Sequence, residues 1–257
     1  MSCKNVDAFS DVKELLMRHY NEKYAENDYR KVKKITVKGM PTHRREAAVV
    51  WGGKGDALLE IGPGCGDVLL TLSEHYRQCV GLEFSPVRSR QLQKLFSGIE
   101  HVNIITGDFE NMSLAEYPAE SFDTVLMIAV LEHLVNPFET VKRIYGLLKP
   151  GGRLVIETPN MAKWTRRLKL LFGFFPSTGS LDEGFMSYDK KTPTTLHDEG
   201  HFHYFTYRSL RKLLLRFGFC KVEFHGYGAN YLARLCPVLF SECFVVGIKA
   251  KEGSPCG

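Results

Sequence analysis

The stretch Leu58-Leu59-Glu60-Ile61-Gly62-Pro63-Gly64-Cys65-Gly66-Asp67-Val68-Leu69-Leu70 decides the fold of this chain. It begins as an apolar run, turns on three closely spaced glycines, and continues apolar at helical spacing. That order reads as strand, tight loop, helix, the opening unit of a Rossmann-like, doubly wound α/β sheet. Such sheets bind ligands outside the carboxyl ends of their strands, at the switch point. Glycine suits a loop that must turn sharply and let a ligand approach the backbone. Alone, the loop is a weak signal, because a plain βα turn uses the same glycines; the next strand carries the reading.

That second strand is Cys79-Val80-Gly81-Leu82-Glu83, with an acid at its carboxyl end. An acid about 20 residues past the glycine loop accepts the hydroxyls of a ribose in this fold. The ligand is therefore read as a nucleoside. The loop Gly62-x-Gly64-x-Gly66 is one residue tighter than the dinucleotide pattern G-x-G-x-x-G. Glu60 stands just before it, where a carboxylate repels a pyrophosphate but attracts an ammonium or sulfonium. Both features favour S-adenosylmethionine over NAD.

Five segments in order then resemble one family. They are Glu60 to Gly66; Gly81-Leu82-Glu83-Phe84-Ser85; Thr106-Gly107-Asp108-Phe109; Phe122 through Leu131-Glu132-His133-Leu134; and Leu148-Lys149-Pro150-Gly151-Gly152-Arg153-Leu154. Spanning roughly residues 56 to 160, they resemble class I S-adenosylmethionine-dependent methyltransferases of the small-molecule group that includes the ubiquinone-biosynthesis enzymes. Pro63 departs from the family pattern but needs only an ordinary negative φ. The resemblance implies a seven-stranded sheet with an antiparallel last strand. It also implies cofactor contacts from Glu60, Gly62, Gly64, Gly66, Glu83 and Phe84. Asp108 is expected at the adenine amino group, Phe109 on its ring, and Ile128-Ala129 beneath the methionine part.

Composition sets the outer bounds. At 257 residues, 44% hydrophobic and 25% charged, the chain is expected to be one large soluble domain or a domain with an appendage. No apolar run reaches the ~20 residues of a membrane span, and Met1 to Asp7 lacks a signal-peptide core. Seven scattered cysteines without a CxxC pair suit reduced thiols in a cytoplasm. A net charge of +5 permits an anionic small molecule but does not argue for nucleic acid.

Residues 1–50 are expected to form a helical cover, and 51–257 the cofactor-binding domain. Val12, Leu15, Leu16 and His19-Tyr20 recur at helical spacing, and Thr42 is a candidate cap for a helix from Arg44 to Val50. In the family such a cover folds over the cofactor, which offers Tyr29, His43, Arg44 or Arg45 to its carboxylate; a guanidinium suits that fork. Each basic residue has a plain alternative, a solvated helix face. Strands are expected at about 56–61, 79–83, 102–105, 122–127, 153–158, 219–225 and 243–249. Helices are expected at about 67–75, 86–96, 112–116 and 137–148, with Ser85-Pro86 and Asn136-Pro137 as two starts. Thr206 caps a further helix closed by Gly218.

An insertion at about 161–205 reads as a substrate lid. Its first part, residues 163–172, is basic and amphipathic: a packing helix over the cleft, or a weak contact with an anionic membrane surface. Residues 173–200 read as a long loop, and the His-x-His-x-Phe-Thr segment from His201 resembles a subset that acts on sugars or glycan precursors. If the acceptor is a hydroxyl, a base must take its proton; His133 and His203 are the candidates, with His201 third. His197, His201 and His203 invite a metal reading, but no cysteine or carboxylate pattern completes a set, so no metal is expected. The leading expectation is methyl transfer to a small molecule, more often at oxygen. The competing readings are an RNA or protein methyltransferase, and a protein that binds the cofactor without chemistry. Oligomeric state has no sequence signature here.

Overall fold

A computed structural model of the chain describes residues 8–26, 28–113, 117–179, 197–251 and 253. The chain opens with α1 (Ala8–Ala25), α2 (Arg44–Gly52), β1 (Gly55–Ile61), α3 (Asp67–Leu72), β2 (Tyr76–Glu83) and α4 (Pro86–Phe96). It continues through β3 (Val102–Thr106), β4 (Phe122–Ile128), α5 (Pro137–Leu147), β5 (Leu148–Thr158) and α6 (Trp164–Leu171). It closes with α7 (Tyr207–Arg216), β6 (Phe219–His225), α8 (Tyr231–Leu235), α9 (Pro237–Phe240) and β7 (Cys243–Lys249).

The seven strands form one sheet in the order β3-β2-β1-β4-β5-β7-β6. β1 pairs in parallel with β2 and with β4, so the order reverses at β1 and opens a crevice above its carboxyl end. β7 lies antiparallel between β5 and β6, as the family resemblance implied.

The apolar run of β1 is explained by burial on both faces. Leu58 packs with Ala47, Leu69, Leu72 and Leu92 in one layer. Its neighbours Leu59 and Ile61 point the other way, among Val141, Ile144, Leu210 and Leu214. Each such leucine contributes about 2 kcal/mol by burial, and its truncation to alanine costs about 2–5 kcal/mol.

Local chemistry fixes most helix starts. Ser85 and Asn136 cap α4 and α5 through bonds to the Arg88 and Glu139 N–H groups, each before a proline. Thr206 caps α7 within a reciprocal box with Ser209. The cap of α2 is His43 rather than Thr42: its Nδ1 accepts from the Arg45 N–H, while the Glu46 carboxylate takes the Thr42 and His43 N–H groups. Sequence preference favours threonine there, and the imidazole acceptor is what overrides it.

Two strands start earlier than the apolar pattern suggested. β2 begins at Tyr76, paired with Gly55. β5 begins at Leu148, paired with Phe122 across an irregularity, so the Lys149-Pro150-Gly151-Gly152 turn is a kink inside the strand. Residues 112 and 113 are not helical, and 114–116 of that expected helix lie outside the described residues. Most of the expected 173–200 loop, residues 180–196, lies there too. Around it the chain is anchored: the Met161 N–H donates to the Phe205 carbonyl at 2.8 Å, and Asn160 pairs with Phe205, returning the segment to the end of β5. Among the described residues no helix is long and apolar enough to cross a membrane.

Candidate active site

The glycine loop leaves β1 with Gly62, Gly64 and Gly66 all at positive φ, at 69°, 53° and 83°. At Gly62 a Cβ would meet the Val130 Cγ2 at 2.7 Å, so a side chain is excluded twice over. At Gly64 a Cβ would meet only the Gly62 carbonyl at 3.9 Å, so the space above it is open for a ligand. Arg88, 1% exposed, props the loop from behind by donating from Nε to the Gly64 carbonyl.

Three acids ring this loop. Glu60 is 2% exposed, and its Oε2 has no hydrogen-bond partner; burial, with Asp67 and Glu83 nearby, pushes its carboxyl up to about 8. Glu83 ends β2, and its Oε1 accepts the Ser85 N–H at 2.9 Å. Burial pushes the Glu83 carboxyl up to about 7, against the pull of the Ser85 and Gly64 N–H groups. Asp108 accepts the Glu110 N–H at 3.0 Å and the Asn111 amide at 2.9 Å, and pairs with Lys13 of α1. Between them lies a cavity lined by Gly62, Leu82, Phe84, Phe109 and Val130, and roofed by Leu16, Tyr20 and Tyr24 of α1.

A second cavity of about 480 Å³ continues from the loop past Ile128, Ala129, Glu132, His133, Thr178 and His201. Arg45 lines it with Nη1 on Asp67 at 2.8 Å, and Arg44 lies 3.9 Å from Glu157. Glu157, 2% exposed at the end of β5, accepts the Tyr227 hydroxyl at 2.7 Å; burial pushes its carboxyl up to about 7. Glu132 is 1% exposed; neither carboxylate oxygen has a well-aligned hydrogen bond, although the Thr158 hydroxyl and the Glu132 N–H lie beside it and favour its charged form. Burial and the like charge of Glu157 push the Glu132 carboxyl up to about 8. The His133 ring is 4.6 Å from that of His201, centroid to centroid. Burial and His201 hold the His133 imidazole down at about 3, so it is neutral at ordinary pH.

His201 is delivered by a strained turn. Asp198 and Glu199 adopt left-handed conformations, φ 45° and 58°, before Gly200 at 77°. Two such non-glycine residues in succession cost about 1 kcal/mol or more each, so the surrounding bonds must hold them. The fully buried Asp198 carboxylate does so by accepting the Gly179 N–H at 2.8 Å and the Thr178 hydroxyl at 2.5 Å. The Phe202 and His203 N–H groups both donate to the Glu132 carbonyl, tying this segment to the turn after β4.

Glu60, Gly62, Gly64, Glu83, Phe84, Asp108, Phe109, Ile128 and Ala129 line the two cavities near the strand ends and Arg45 joins them from α2, whereas Gly66 lines neither and faces Leu92, Leu95 and Phe96 of α4. Of the three candidate bases, the structure brings His133 and His201 together and turns His203 away: its Nε2 lies 3.3 Å from the Val135 carbonyl, and it does not line the cavity. The physical reason is that two consecutive N–H groups aim at one carbonyl, so side-chain alternation fails between residues 201 and 203. Of the histidines 197, 201 and 203, only His201 faces the cavity; His197 stacks edge-on to Phe175. Sequence reasoning passed over Glu157, Tyr227, Thr178 and Asp198. Only Glu157, a lone acid ending an apolar strand, carried a local signal.

A family model described as a methyltransferase domain matches residues 24–223, more than half of the chain. The ubiquinone biosynthesis O-methyltransferase of Pseudomonas entomophila (strain L48) is 29% identical over 109 residues, covering 41% of this chain and 45% of that protein. The enzyme of the same name from Xanthomonas euvesicatoria pv. vesicatoria (strain 85-10) is 32% identical over 108 residues, 41% of this chain and 44% of its own length. The chain thus spans less than half the length of these curated relatives. Among solved structures, the YcgJ protein from Bacillus subtilis has a TM-score of 0.55 at 16% identity, covering 81% of this chain and 99% of that one. The CurJ carbon methyltransferase has a TM-score of 0.52 at 19% identity, over 77% of this chain and 50% of that one. At such identities the two structures establish the fold alone. With the glycine loop and its three acids in place, and the family model spanning both ends of the cavity, this chain belongs to the methyltransferase-domain family.

Proposed function

We propose that this protein transfers a methyl group from S-adenosylmethionine to a hydroxyl oxygen of a small molecule, with sugars or glycan precursors as the first class to try. The observation that carries the reading is the buried, unpartnered Glu60 beside an open Gly64, with Glu83 and Asp108 at the next two strand ends. Those residues fit the cofactor. Glu60 suits its ammonium, Glu83 its ribose hydroxyls, and Asp108 its adenine amino group once Lys13 yields that carboxylate. Arg45 and Arg44, at the rim, suit its carboxylate.

When bound, S-adenosylmethionine supplies a methyl group on a sulfonium leaving group. The new O–C bond forms as the C–S bond breaks, releasing S-adenosylhomocysteine and the hydroxyl proton. The protein's share is to place the acceptor oxygen in line with that bond and to dry the cavity, which supplies much of the rate. The wall where the acceptor sits is built from electron-pair donors, Glu132, His133 and His201, which suits a group that must lose a proton. The relatives named as O-methyltransferases support oxygen as the acceptor. Leu170, Leu171, Phe172 and Phe174 stay more than half exposed beside Arg167 and Lys169, which supports weak contact with an anionic bilayer surface. The test is an acceptor screen with methyl-labelled S-adenosylmethionine, starting from sugars and phenols. Labelled ether product supports the reading. Cofactor binding without turnover on any acceptor would favour a regulatory binding protein.

A further inference from the structure

The acceptor cavity contains a cluster that the methyl transfer does not by itself require. A carboxylate oxygen of Glu132, a ring nitrogen of His133 and a ring nitrogen of His201 all lie within 4.8 Å of one another. Glu132 comes from the turn after β4, and His201 from the strained turn nearly seventy residues later.

The protonation of both rings follows from their partners. His133 Nδ1 lies 3.1 Å from the Gly200 carbonyl, which only accepts, so Nδ1 carries the hydrogen. The Thr178 hydroxyl donates to the Asp198 carboxylate, so its oxygen must accept from His201 Nδ1 at 2.6 Å. In both rings Nε2 is left with a lone pair and no hydrogen-bond partner among the described residues. Glu132 adds a buried carboxyl whose oxygens lack a well-aligned hydrogen bond. The two rings and the Glu132 carboxyl thus gather in one cluster, beside the Thr158 hydroxyl. A buried carboxylate in that state is costly unless a cation or a donor joins it. The carbonyl behind His133, and the Thr178–Asp198 pair behind His201, are the outer contacts that orient metal-binding imidazoles.

We propose that Glu132, His133 and His201 bind one divalent transition-metal ion in the acceptor cavity. Two imidazoles and one carboxylate favour Zn²⁺, Mn²⁺ or Co²⁺ over Mg²⁺ and Ca²⁺, and leave coordination positions open towards the cavity. Ligand atoms around a tetrahedral ion stand about 3.3 Å apart, so binding would draw the three groups closer together than they stand here. The site reverses the expectation of no metal drawn from sequence, because the completing carboxylate is Glu132 and the partner of His201 is His133 rather than His197 or His203. Its catalytic use rests on the proposed methyl transfer to oxygen: a hydroxyl placed on the ion loses its proton to water more readily, and the resulting alkoxide takes the methyl group. Binding of the ion does not rest on that reading.

The test strips the full-length protein with a chelator, then titrates it calorimetrically with Mn²⁺, Co²⁺ and Zn²⁺, with metal content measured after dialysis. The expected result is one equivalent bound, at least a hundredfold weaker in His201→Ala and in Glu132→Gln. Circular dichroism and S-adenosylmethionine affinity should match wild type in both variants, which separates lost ligands from lost fold. The Co²⁺ form should show visible bands of low coordination number without thiolate charge transfer. Overturning results are no stoichiometric binding of any of the three ions, binding unchanged in both variants, or thiolate bands that place the ion on cysteines. Loss of cofactor binding in the wild type would instead sink the methyltransferase reading and leave the metal result standing.

Discussion

At the proposed cofactor end, Glu60, Gly62, Gly64 and Gly66 lie within seven residues of chain, Glu83 ends β2, and Asp108 follows shortly after β3. At the acceptor end, Glu132, Glu157, Thr178, Asp198, His201 and Tyr227 come from five separate places between β4 and β7, Asp198 and His201 sharing one turn. The first end is a local structure: each residue's role follows from its position at a strand end or in a turn. The second is a tertiary structure, held by long-range bonds and by a turn that is strained by itself. A loop read by backbone N–H groups and strand-end acids serves one ligand. An assembled wall can be changed residue by residue to serve different acceptors.

The sharpest way to break this contrast is to damage each end and ask whether the other notices. Gly62→Val places a Cβ 2.7 Å from Val130 at φ 69°. It should weaken S-adenosylmethionine binding by about a hundredfold or more, through strain of about 1–3 kcal/mol and a displaced loop. Asp198→Ala acts at the opposite end: it orphans the Thr178 and Gly179 N–H groups around a fully buried site. The expected cost is about 2–3 kcal/mol, a fall in melting temperature of about 4–10 °C, with cofactor affinity within about twofold of wild type. A large loss of cofactor affinity in Asp198→Ala would mean the two ends are one unit.

A pH titration sharpens the cofactor end. The Glu83 carboxyl stands at about 7 and Glu60 at about 8, both raised, so both protonate as pH falls through that range. The ionised forms are the ones that suit ribose hydroxyls and an ammonium. Affinity for S-adenosylmethionine should therefore be full above pH 8 and fall by about tenfold per unit, or more, below pH 7. Glu83→Gln should flatten that slope; an unchanged slope would remove Glu83 from the contact. The smallest effect is expected at α6. Leu171, 75% exposed, and Phe172, 72% exposed, can be replaced together by glutamate with a stability change within about 1 kcal/mol. Co-sedimentation with anionic vesicles should drop, and unaltered sedimentation would leave α6 a packing element only.

The same contrast explains which parts were legible in the sequence. The strand positions, the glycine loop and the acids Glu60 and Glu83 follow from apolar runs, glycine spacing and acids near strand ends, all of them local signals, whereas the antiparallel last strand and the role of Asp108 come only from the family resemblance. His43 was hidden as a cap because imidazole rarely serves as one. His201 and His203 look equivalent in sequence. Two N–H groups aimed at the Glu132 carbonyl separate them, and no period-2 argument anticipates that. Asp198 reads as a surface turn residue until Thr178 and Gly179 close around it.

The measurement that tests the central claim most directly is calorimetric titration of the protein with S-adenosylmethionine, S-adenosylhomocysteine and NAD, wild type beside Glu83→Ala. The account predicts micromolar binding of both adenosyl sulfur compounds, weakened about a hundredfold in the mutant, where a charged acceptor worth about 2–3 kcal/mol is lost. It predicts no comparable binding of NAD. Absence of S-adenosylmethionine and S-adenosylhomocysteine binding, or tight binding of NAD in their place, would contradict it.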